Sequence, residues 1–260
     1  MSLECIDAGF QVGDKKLLAG ITARLQPGRV CAILGPNGAG KSTLLSVLSG
    51  QRRPTHGRVS LDERRIDAHS AAELALRRAV MPQESSVAFD FNAHEIVALG
   101  RLPHRARPEP NESDIVAKAM QLTDVSALAP RILNTLSGGE KARVHLARAL
   151  AQLWNPRPDG ASRWLLLDEP TAALDVAHQH ATMSLVRSWA AKGVGVVAVL
   201  HDLNLALRYA DEVIVLGLGR LMAHGPSAQV LQPALVSEVW RTPCELVAGK
   251  DGAPQYLFGA

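Results

Sequence analysis

The sequence predicts an α/β protein with a mainly parallel sheet, and three observations support that fold class. Continuous apolar runs at residues 30–34, 164–167 and 194–200 are typical of strands that are covered on both faces. A polar group follows each of these runs, as at the carboxyl edge of an open sheet. Residues 84–151 instead show a mostly helical pattern, so we expect a helical insertion between the strands.

The N-terminal segment predicts a smaller antiparallel β part. Residues 5–25 alternate weakly between apolar and polar, with turn signals at Gly13-Asp14 and Pro27-Gly28. Such spacing favours short antiparallel strands that lead into the first buried strand.

A phosphate-binding loop joins the first apolar run to a helix. Its residues fit the pattern GxxxxGK[ST] and are Gly35, Pro36, Asn37, Gly38, Ala39, Gly40, Lys41 and Ser42. The glycines let backbone N–H groups approach phosphates, and the positive end of the next helix faces the same way. Lys41 can reach the terminal phosphates and the Ser42 hydroxyl can hold Mg²⁺. The sequence thus predicts a nucleoside triphosphate site; the alternative is a glycine-rich turn before an ordinary helix.

The next elements follow from local signals. Leu44, Leu45 and Leu48 form a helical stripe that ends at Gly50, and residues 58–61 read as a strand. In the insertion, Asn92 with Glu95 and then Asn111 are typical helix starts. We therefore predict a core of residues 1–83 and 152–260 around a helical subdomain of residues 84–151. In the tail we expect a strand over 213–216, a turn at 217–219 and a final hairpin around Asp251-Gly252.

The strand ends carry candidate catalytic groups. Asp168 follows an apolar strand, where a carboxylate can hold Mg²⁺, and Glu169 is placed to take a proton from an attacking water. His201 ends another strand and can hydrogen-bond the terminal phosphate and that water. Gln83 has an amide that can bind Mg²⁺ or water. Taken singly, each residue also fits a packing or solvated role.

A second anion-binding pattern lies at residues 136–140, Leu-Ser-Gly-Gly-Glu. Ser137 and Glu140 fit a capping box, which explains the helix start by itself. A cap does not need the glycines Gly138 and Gly139, which let the backbone approach a large anion. Since the chain already has one phosphate loop, this helix start is expected to serve the nucleotide of another subunit.

These motifs together resemble those of the ATP-binding subunits of ABC transporters, over nearly the whole chain. Residues 35–43, ending in Thr43, look like Walker A, and residues 165–169 look like Walker B. Gln83 resembles the Q-loop, residues 136–140 the signature, residues 173–175 the D-loop and His201 the switch histidine. The resemblance implies a RecA-like ATPase core that binds ATP and Mg²⁺, the metal being held by Ser42, Gln83 and Asp168.

The same resemblance implies an assembly. Two copies would form a head-to-tail homodimer, with Ser137, Gly138, Gly139 and Glu140 of one copy completing the nucleotide site of the other. Two transmembrane permease subunits, and indirectly a periplasmic substrate-binding protein, would be further partners. Phe10 stands near the place of an adenine-stacking aromatic, although a core role on a strand explains it equally well.

Within the family, residues 95–104 resemble importers of iron-siderophores, haem and vitamin B12. Residues 151–154, the turn-rich loop after them and residues 175–180 are most similar to haemin import ATPases. Cargo would pass through the permease, so His94, His104, His178 and His180 are expected in surface or packing roles. The basic residues Arg101, His104, Arg105 and Arg107 either face the permease or form a solvated face.

Charge, hydropathy and cysteine content limit the partners and the cellular location that the sequence predicts. The formal net charge is only +3, which does not favour a nucleic-acid surface. The sequence has no apolar stretch of membrane-spanning length and no pattern of a secretory signal at Met1–Glu4, so we expect a peripheral protein at the cytoplasmic face of the inner membrane. The three cysteines lack metal-site spacing, and Cys31 is expected in the core.

Three rival functions fit the sequence less well than transport does. A non-transport ABC ATPase of DNA repair or translation usually carries a coiled-coil insertion or a second ATPase domain. A kinase or GTPase with the same phosphate loop would not explain residues 136–140 or His201. An interaction protein with an inactive site is disfavoured because Lys41, Asp168 and Glu169 are all present.

Overall fold

The computed structural model describes residues 1–83, 89–249 and 252–259, and it has the predicted α/β architecture. The strands are β1 (Leu3–Val12), β2 (Lys15–Leu25), β3 (Val30–Leu34), β4 (His56–Leu61), β5 (Arg64–Arg65), β6 (Arg78–Met81), β7 (Arg163–Asp168), β8 (Val194–Val199), β9 (Glu212–Gly217), β10 (Arg220–Pro226), β11 (Cys244–Ala248) and β12 (Pro254–Phe258). The α-helices are α1 (Lys41–Leu48), α2 (Ala71–Arg77), α3 (Ala93–Leu99), α4 (Glu112–Leu122), α5 (Gly138–Gln152), α6 (Val176–Ala190), α7 (Leu203–Tyr209), α8 (Ser227–Val230) and α9 (Pro233–Trp240). Single 3₁₀ turns occur at Ile66–Ala68, Leu102–His104, Ser126–Leu128 and Leu133–Thr135.

The main sheet has six strands in the order β10-β9-β3-β8-β7-β6. Its strands from β9 to β6 pair in parallel, and β10 joins the edge antiparallel to β9. The three apolar runs of the sequence are β3, β8 and β7, which lie side by side. This order is what places the three polar strand ends next to one another.

The two faces of the sheet pack against different layers. In β3 the side chains of Val30, Ala32 and Leu34 join a cluster with α6 and α7. Cys31 and Ile33 point the other way, into a cluster with α1 and the antiparallel sheet. Cys31 is therefore a core residue, as predicted, and its burial raises the pKa of the thiol.

The antiparallel sheet has the order β2-β1-β4-β5. Its first two strands are longer than the short strands that the sequence predicted, with 10 and 11 residues. The pairing of β1 with β2 shifts register three times along its length. These irregularities explain why the alternation in the sequence is weak, because each shift changes which side chains face the core.

The helices of the predicted helical segment begin where the sequence predicted, although Asn111 precedes α4 without a capping hydrogen bond from its side chain. Asn92 caps α3 and Ser137 caps α5, each in a reciprocal capping box with a glutamate. Helices α3, α4 and α5 share a third apolar cluster. The C-terminal half of α5 is tied to the main sheet, because Arg148 donates to the Val80 carbonyl at 2.9 Å and Gln152 donates to the Arg78 carbonyl at 2.9 Å.

One of the two predicted domain boundaries lies in helix α5. Residue 84, where we place the start of the helical subdomain, lies outside the described residues. The other boundary, between residues 151 and 152, falls in the last turn of α5. Ala151 packs in the helical cluster, whereas Leu150 packs in the cluster under the main sheet. Helix α5 therefore belongs to both parts of the molecule and connects them mechanically.

A glycine in the middle of the main sheet has a packing reason. Gly195 of β8 lies opposite Trp164 of β7, and a Cβ atom built on it would lie 2.5 Å from the indole ring. Trp164 is 1% exposed, so the ring has no free space to move into. The Gly195→Ala variant is therefore expected to lower the free energy of unfolding by about 1–3 kcal/mol. Denaturant unfolding measures this loss, with the surface variant Ser188→Ala as control; equal stability of the two variants would contradict it.

The C-terminal part follows the sequence prediction. Strands β9 and β10 form a hairpin, and β11 pairs antiparallel with β12, so that Leu246 lies opposite Tyr256. Of the predicted turn, Asp251 lies outside the described residues. Across the described ranges, none of the helices has the length and apolar character that crossing a bilayer requires.

Candidate nucleotide-binding site

The polar strand ends meet in one cleft at the carboxyl edge of the main sheet. The cleft has a volume of about 540 Å³. Its lining comprises Lys15, Leu17, Asn37, Gly38, Ala39, Gly40, Lys41, Ser42, Thr43, Gln83, Glu169 and His201. The phosphate loop, the end of β7 and the end of β8 are thus brought together, as expected from adjacent parallel strands.

The phosphate loop wraps around its own lysine. Lys41 is 6% exposed, and its Nζ donates to the carbonyl oxygens of Gly35 at 2.8 Å and Pro36 at 3.0 Å. Burial lowers the pKa of Lys41, while the nearby carboxylates of Glu169 and Asp168 oppose that shift. The ammonium is held at the base of the loop, where it faces the space that terminal phosphates need.

The first glycine of the loop has a second role that sequence reasoning missed. Gly35 has φ +149°, and a Cβ atom there would lie 2.3 Å from the Leu216 carbonyl oxygen of β9. A side chain at this position would therefore collide with the neighbouring strand as well as crowd the phosphates. The loop is positioned by the sheet and not only by its own turn.

Ser42 and Asp168 form an oxygen pair suited to a hard cation. The Ser42 hydroxyl donates to Asp168 Oδ1 at 2.9 Å, so both oxygens point to one place. Burial raises the pKa of Asp168, and the hydrogen bond from Ser42 partly offsets this. A carboxylate whose charged form is disfavoured by burial gains from a divalent cation that restores a positive partner. The donor set therefore fits Mg²⁺.

Both carboxylate oxygens of Glu169 are contacted by side chains that follow other strands of the sheet, β6 and β8. His201 Nε2 lies 2.6 Å from Oε1, and Gln83 Nε2 donates to Oε2 at 2.9 Å. Glu169 has φ +52°, a left-handed conformation that glutamate rarely adopts. Such strain, about 1–3 kcal/mol, is typical of functional sites, and here it turns the carboxylate into the cleft. No pattern in the sequence indicates this backbone conformation.

Phe10 lies on β1, and its ring packs on the edge of the core. It is partly buried against the cluster below the antiparallel sheet, with the Arg52 guanidinium 5.3 Å from the ring centroid. These contacts favour the core role, and stacking on adenine stays a prediction. Lys15 and Leu17 of β2 line the cleft and were missed, because no sequence motif marks them.

The signature segment lies exposed at the start of α5. Ser137 Oγ accepts from the Glu140 amide at 3.3 Å, and Glu140 Oε2 accepts from the Ser137 amide at 2.7 Å. The hydrogen bond from the Ser137 amide lowers the pKa of the Glu140 carboxyl. A Cβ atom on Gly139 would lie 2.8 Å from the Ala173 carbonyl oxygen. Gly139 is thus also required for contact with the D-loop of the same chain, a reason that the sequence did not reveal.

One of the basic residues expected to face a partner is buried instead. Arg101 is 7% exposed; it pairs with Glu112 at 2.6 Å and donates to the Ala151 carbonyl at 2.7 Å. The expectation for Arg101 is therefore wrong, because this guanidinium stabilises the helical subdomain from within. Arg105 and Arg107 are exposed and remain candidates.

Three of the four histidines expected in surface or packing roles make contacts within the chain. His104 Nε2 lies 2.9 Å from the Gln152 carbonyl oxygen, and His180 Nδ1 lies 2.9 Å from the Tyr209 hydroxyl. His178 Nδ1 lies 2.9 Å from Asp175 Oδ1. The fourth, His94, is exposed. Within the described residues there is no cluster of three or more metal-ligating side chains.

Comparison with known proteins supports the chemistry of the cleft. The profile of the ABC transporter family matches residues 18–172. The chain is 48% identical over 228 residues to "Hemin import ATP-binding protein HmuV" of Pseudomonas entomophila (strain L48), covering 88% of each chain. It is 44% identical over 252 residues to the protein of the same name from Methylobacillus flagellatus, covering 96% of this chain and 93% of that one.

A solved structure of another ATP-binding cassette, with nucleotide bound, shares the fold of this chain. The chain superimposes with a TM-score of 0.74 on the dimeric post-hydrolysis state of the ATP-binding cassette MJ0796, bound to ADP and Pi. The identity is 25%, and the match covers 86% of this chain and 98% of that one.

Proposed function

This chain belongs to the ABC transporter family, and on that premise we propose that it is the ATPase subunit that energises uptake of haem across the inner membrane. The chain is an ATP-binding, ATP-hydrolysing cassette with the fold of its family. The observation that carries the haem assignment is the identity of 44–48% to haemin import subunits over at least 88% of this chain.

The geometry of the cleft supports hydrolysis by an activated water. Glu169 is positioned to accept the proton of that water, and His201, 2.6 Å away, fixes the orientation of the carboxylate. Lys41 faces the terminal phosphates and offsets the charge that develops there.

Mg²⁺ is proposed as the metal of the site. Ser42 and Asp168 would hold it through oxygen atoms, with the Gln83 amide oxygen as a further ligand, and the ion would supply charge neutralisation at the phosphates. The 2.9 Å contact between Ser42 and Asp168 supports this assignment.

The working unit is proposed to be a homodimer beneath two permease subunits, at the cytoplasmic face of the membrane. Exposure of Ser137 and Gly138 at the tip of α5 supports a contact with the nucleotide of a second copy. ATP would favour the closed dimer because it binds that state more tightly than the open one. Leu102, 55% exposed, and Arg105 lie on the helical subdomain, which is the proposed permease side.

Transport in a reconstituted system tests this function. The chain is assembled with its permease in liposomes, and uptake of haem, a ferric siderophore and vitamin B12 is compared with ATP and with a non-hydrolysable analogue. We expect ATP-dependent uptake of haem alone. Preferred uptake of either other cargo would reject the haem assignment, and uptake that is independent of ATP would reject the energising role.

A further inference from the structure

A second cavity, of about 460 Å³, lies between the end of β6 and helix α5, and a buried histidine lines it. His145 of α5 is 6% exposed. Gln83, Glu169 and Gly138 line the same cavity. Both ring nitrogens of His145 are buried, and neither has a hydrogen-bond partner among the residues that the structure describes. A buried polar group of this kind costs folding free energy, so its presence calls for a reason.

The ring is neutral and can both donate and accept. Burial, with smaller contributions from Arg148 and Lys141, lowers the pKa of His145 to about 4. At neutral pH the imidazole therefore has one N–H donor and one nitrogen acceptor. The neutral ring can accept a hydrogen bond from an amide N–H, which a protonated imidazole cannot do.

Gln83 has a neutral amide that lines this cavity and contacts the catalytic carboxylate. Its Nε2 donates to Glu169 Oε2 at 2.9 Å, while His201 holds Oε1. Each oxygen of Glu169 can accept more than one hydrogen bond, but departure of the Gln83 amide leaves Oε2 more open to the attacking water. Once it leaves Glu169, the exposed amide of Gln83 can donate its N–H groups to water or to an acceptor in the cavity.

We propose that His145 is a positioning residue that accepts a hydrogen bond from Gln83 Nε2 when this amide leaves Glu169. The interaction turns Gln83 Oε1 toward the cleft, where the oxygen faces the metal and the attacking water. This inference rests on the ATPase mechanism proposed above. It gives the unpaired imidazole a partner in the active arrangement and frees Glu169 in the same movement.

The position of His145 also links two distant parts of the site. It lies seven residues after Gly138 on α5, which is about two helical turns. Arg148, one turn further on, holds the same helix to the Val80 carbonyl of β6. A displacement of the signature end of α5 would therefore change where His145 meets Gln83.

Two substitutions of His145 separate this role from simple packing. His145→Leu fills the site but removes both hydrogen-bonding groups, whereas His145→Gln keeps a donor and an acceptor. We expect the Leu variant to melt no lower than the wild type, since it removes buried unpaired nitrogens. Its kcat for ATP hydrolysis should fall about 10- to 100-fold, as is typical when a residue that orients a metal ligand is lost. The KM for Mg-ATP should stay within about twofold of the wild type, and the Gln variant should recover most of the kcat.

A double-mutant cycle with Gln83→Ala tests whether His145 acts through Gln83. If it does, adding His145→Leu to Gln83→Ala causes no further loss of kcat. Equal and additive losses, or a Leu variant with wild-type kcat, would overturn the inference. His145→Met is assayed in parallel, with the same expected result, in case the branched side chain perturbs the helix.

The outcomes also separate this inference from the proposed function. A wild-type chain that does not hydrolyse ATP, even with its permease, would reject the ATPase mechanism itself. A wild-type chain that hydrolyses ATP, with Gln83→Ala impaired and His145→Leu unaffected, would reject only the role of His145.

Discussion

Replacing Glu169 with Gln is expected to lower the steady-state ATPase rate by about 10²–10⁴-fold while leaving ATP binding intact. The amide is nearly the same size as the carboxylate and can still contact His201 and Gln83, which lie 2.6 Å and 2.9 Å from the two carboxylate oxygens of Glu169. It cannot accept the proton of the attacking water. Single-turnover and steady-state phosphate release measure the loss, and equilibrium binding of labelled ATP serves as the control.

The same variant should accumulate a closed dimer with ATP, because the state before hydrolysis can no longer decay. Size-exclusion chromatography with light scattering, with and without Mg-ATP, detects this species. The matched control is Glu245→Gln, an exposed glutamate of β11 that does not line the cleft and should leave turnover unchanged. Wild-type turnover by the Glu169 variant would remove this residue as the general base.

Mixing two inactive variants is expected to restore ATPase activity if the nucleotide site is completed in trans. Lys41→Ala removes the ammonium that faces the phosphates, and Ser137→Arg places a bulky side chain at the exposed tip of α5. Each variant alone should lose about 10²-fold or more in rate. A mixed dimer contains one site with both an intact Lys41 and an intact Ser137, and one site with neither.

We expect the ATPase rate of the mixture to be at least about tenfold higher than that of either variant alone, with a maximum near equal concentrations. The dependence on mixing ratio is the measurement, because the mixed dimer is most abundant when both chains are equal in amount. A control mixture of Lys41→Ala with Glu169→Gln should stay inactive, since Lys41 and Glu169 act in the same site. Activity that never exceeds the separate variants would reject completion in trans.

Much of the fold was accessible from the sequence because its signals are local. The runs that became β3, β7 and β8 are apolar on both faces, and the caps at Asn92 and Ser137 depend on residues three positions apart. The length of β1 and β2 was not accessible, since their register shifts depend on pairing between strands.

The residues of the site could also be predicted in large part from the sequence. The residue types at the ends of β3, β7 and β8 indicated which groups meet, and the structure brings them into one cleft. Arg101 was assigned to a permease-facing or solvated position because it lies in the helical insertion that follows Gln83. Its actual burial follows from Glu112, eleven residues away on α4, which no local pattern connects to it.

By itself the sequence determined the order of the motifs, the strands that carry them and the chemistry that each residue type allows. These depend on neighbours along the chain, where backbone geometry imposes fixed periods. The tertiary structure alone decided that Trp164 covers Gly195 and that both oxygens of Glu169 are contacted. It also decided that His145, without a hydrogen-bond partner among the described residues, lines the same cavity as Gln83. Each of these results depends on the distance between residues far apart in sequence, and that distance is set only when the sheet and α5 pack together.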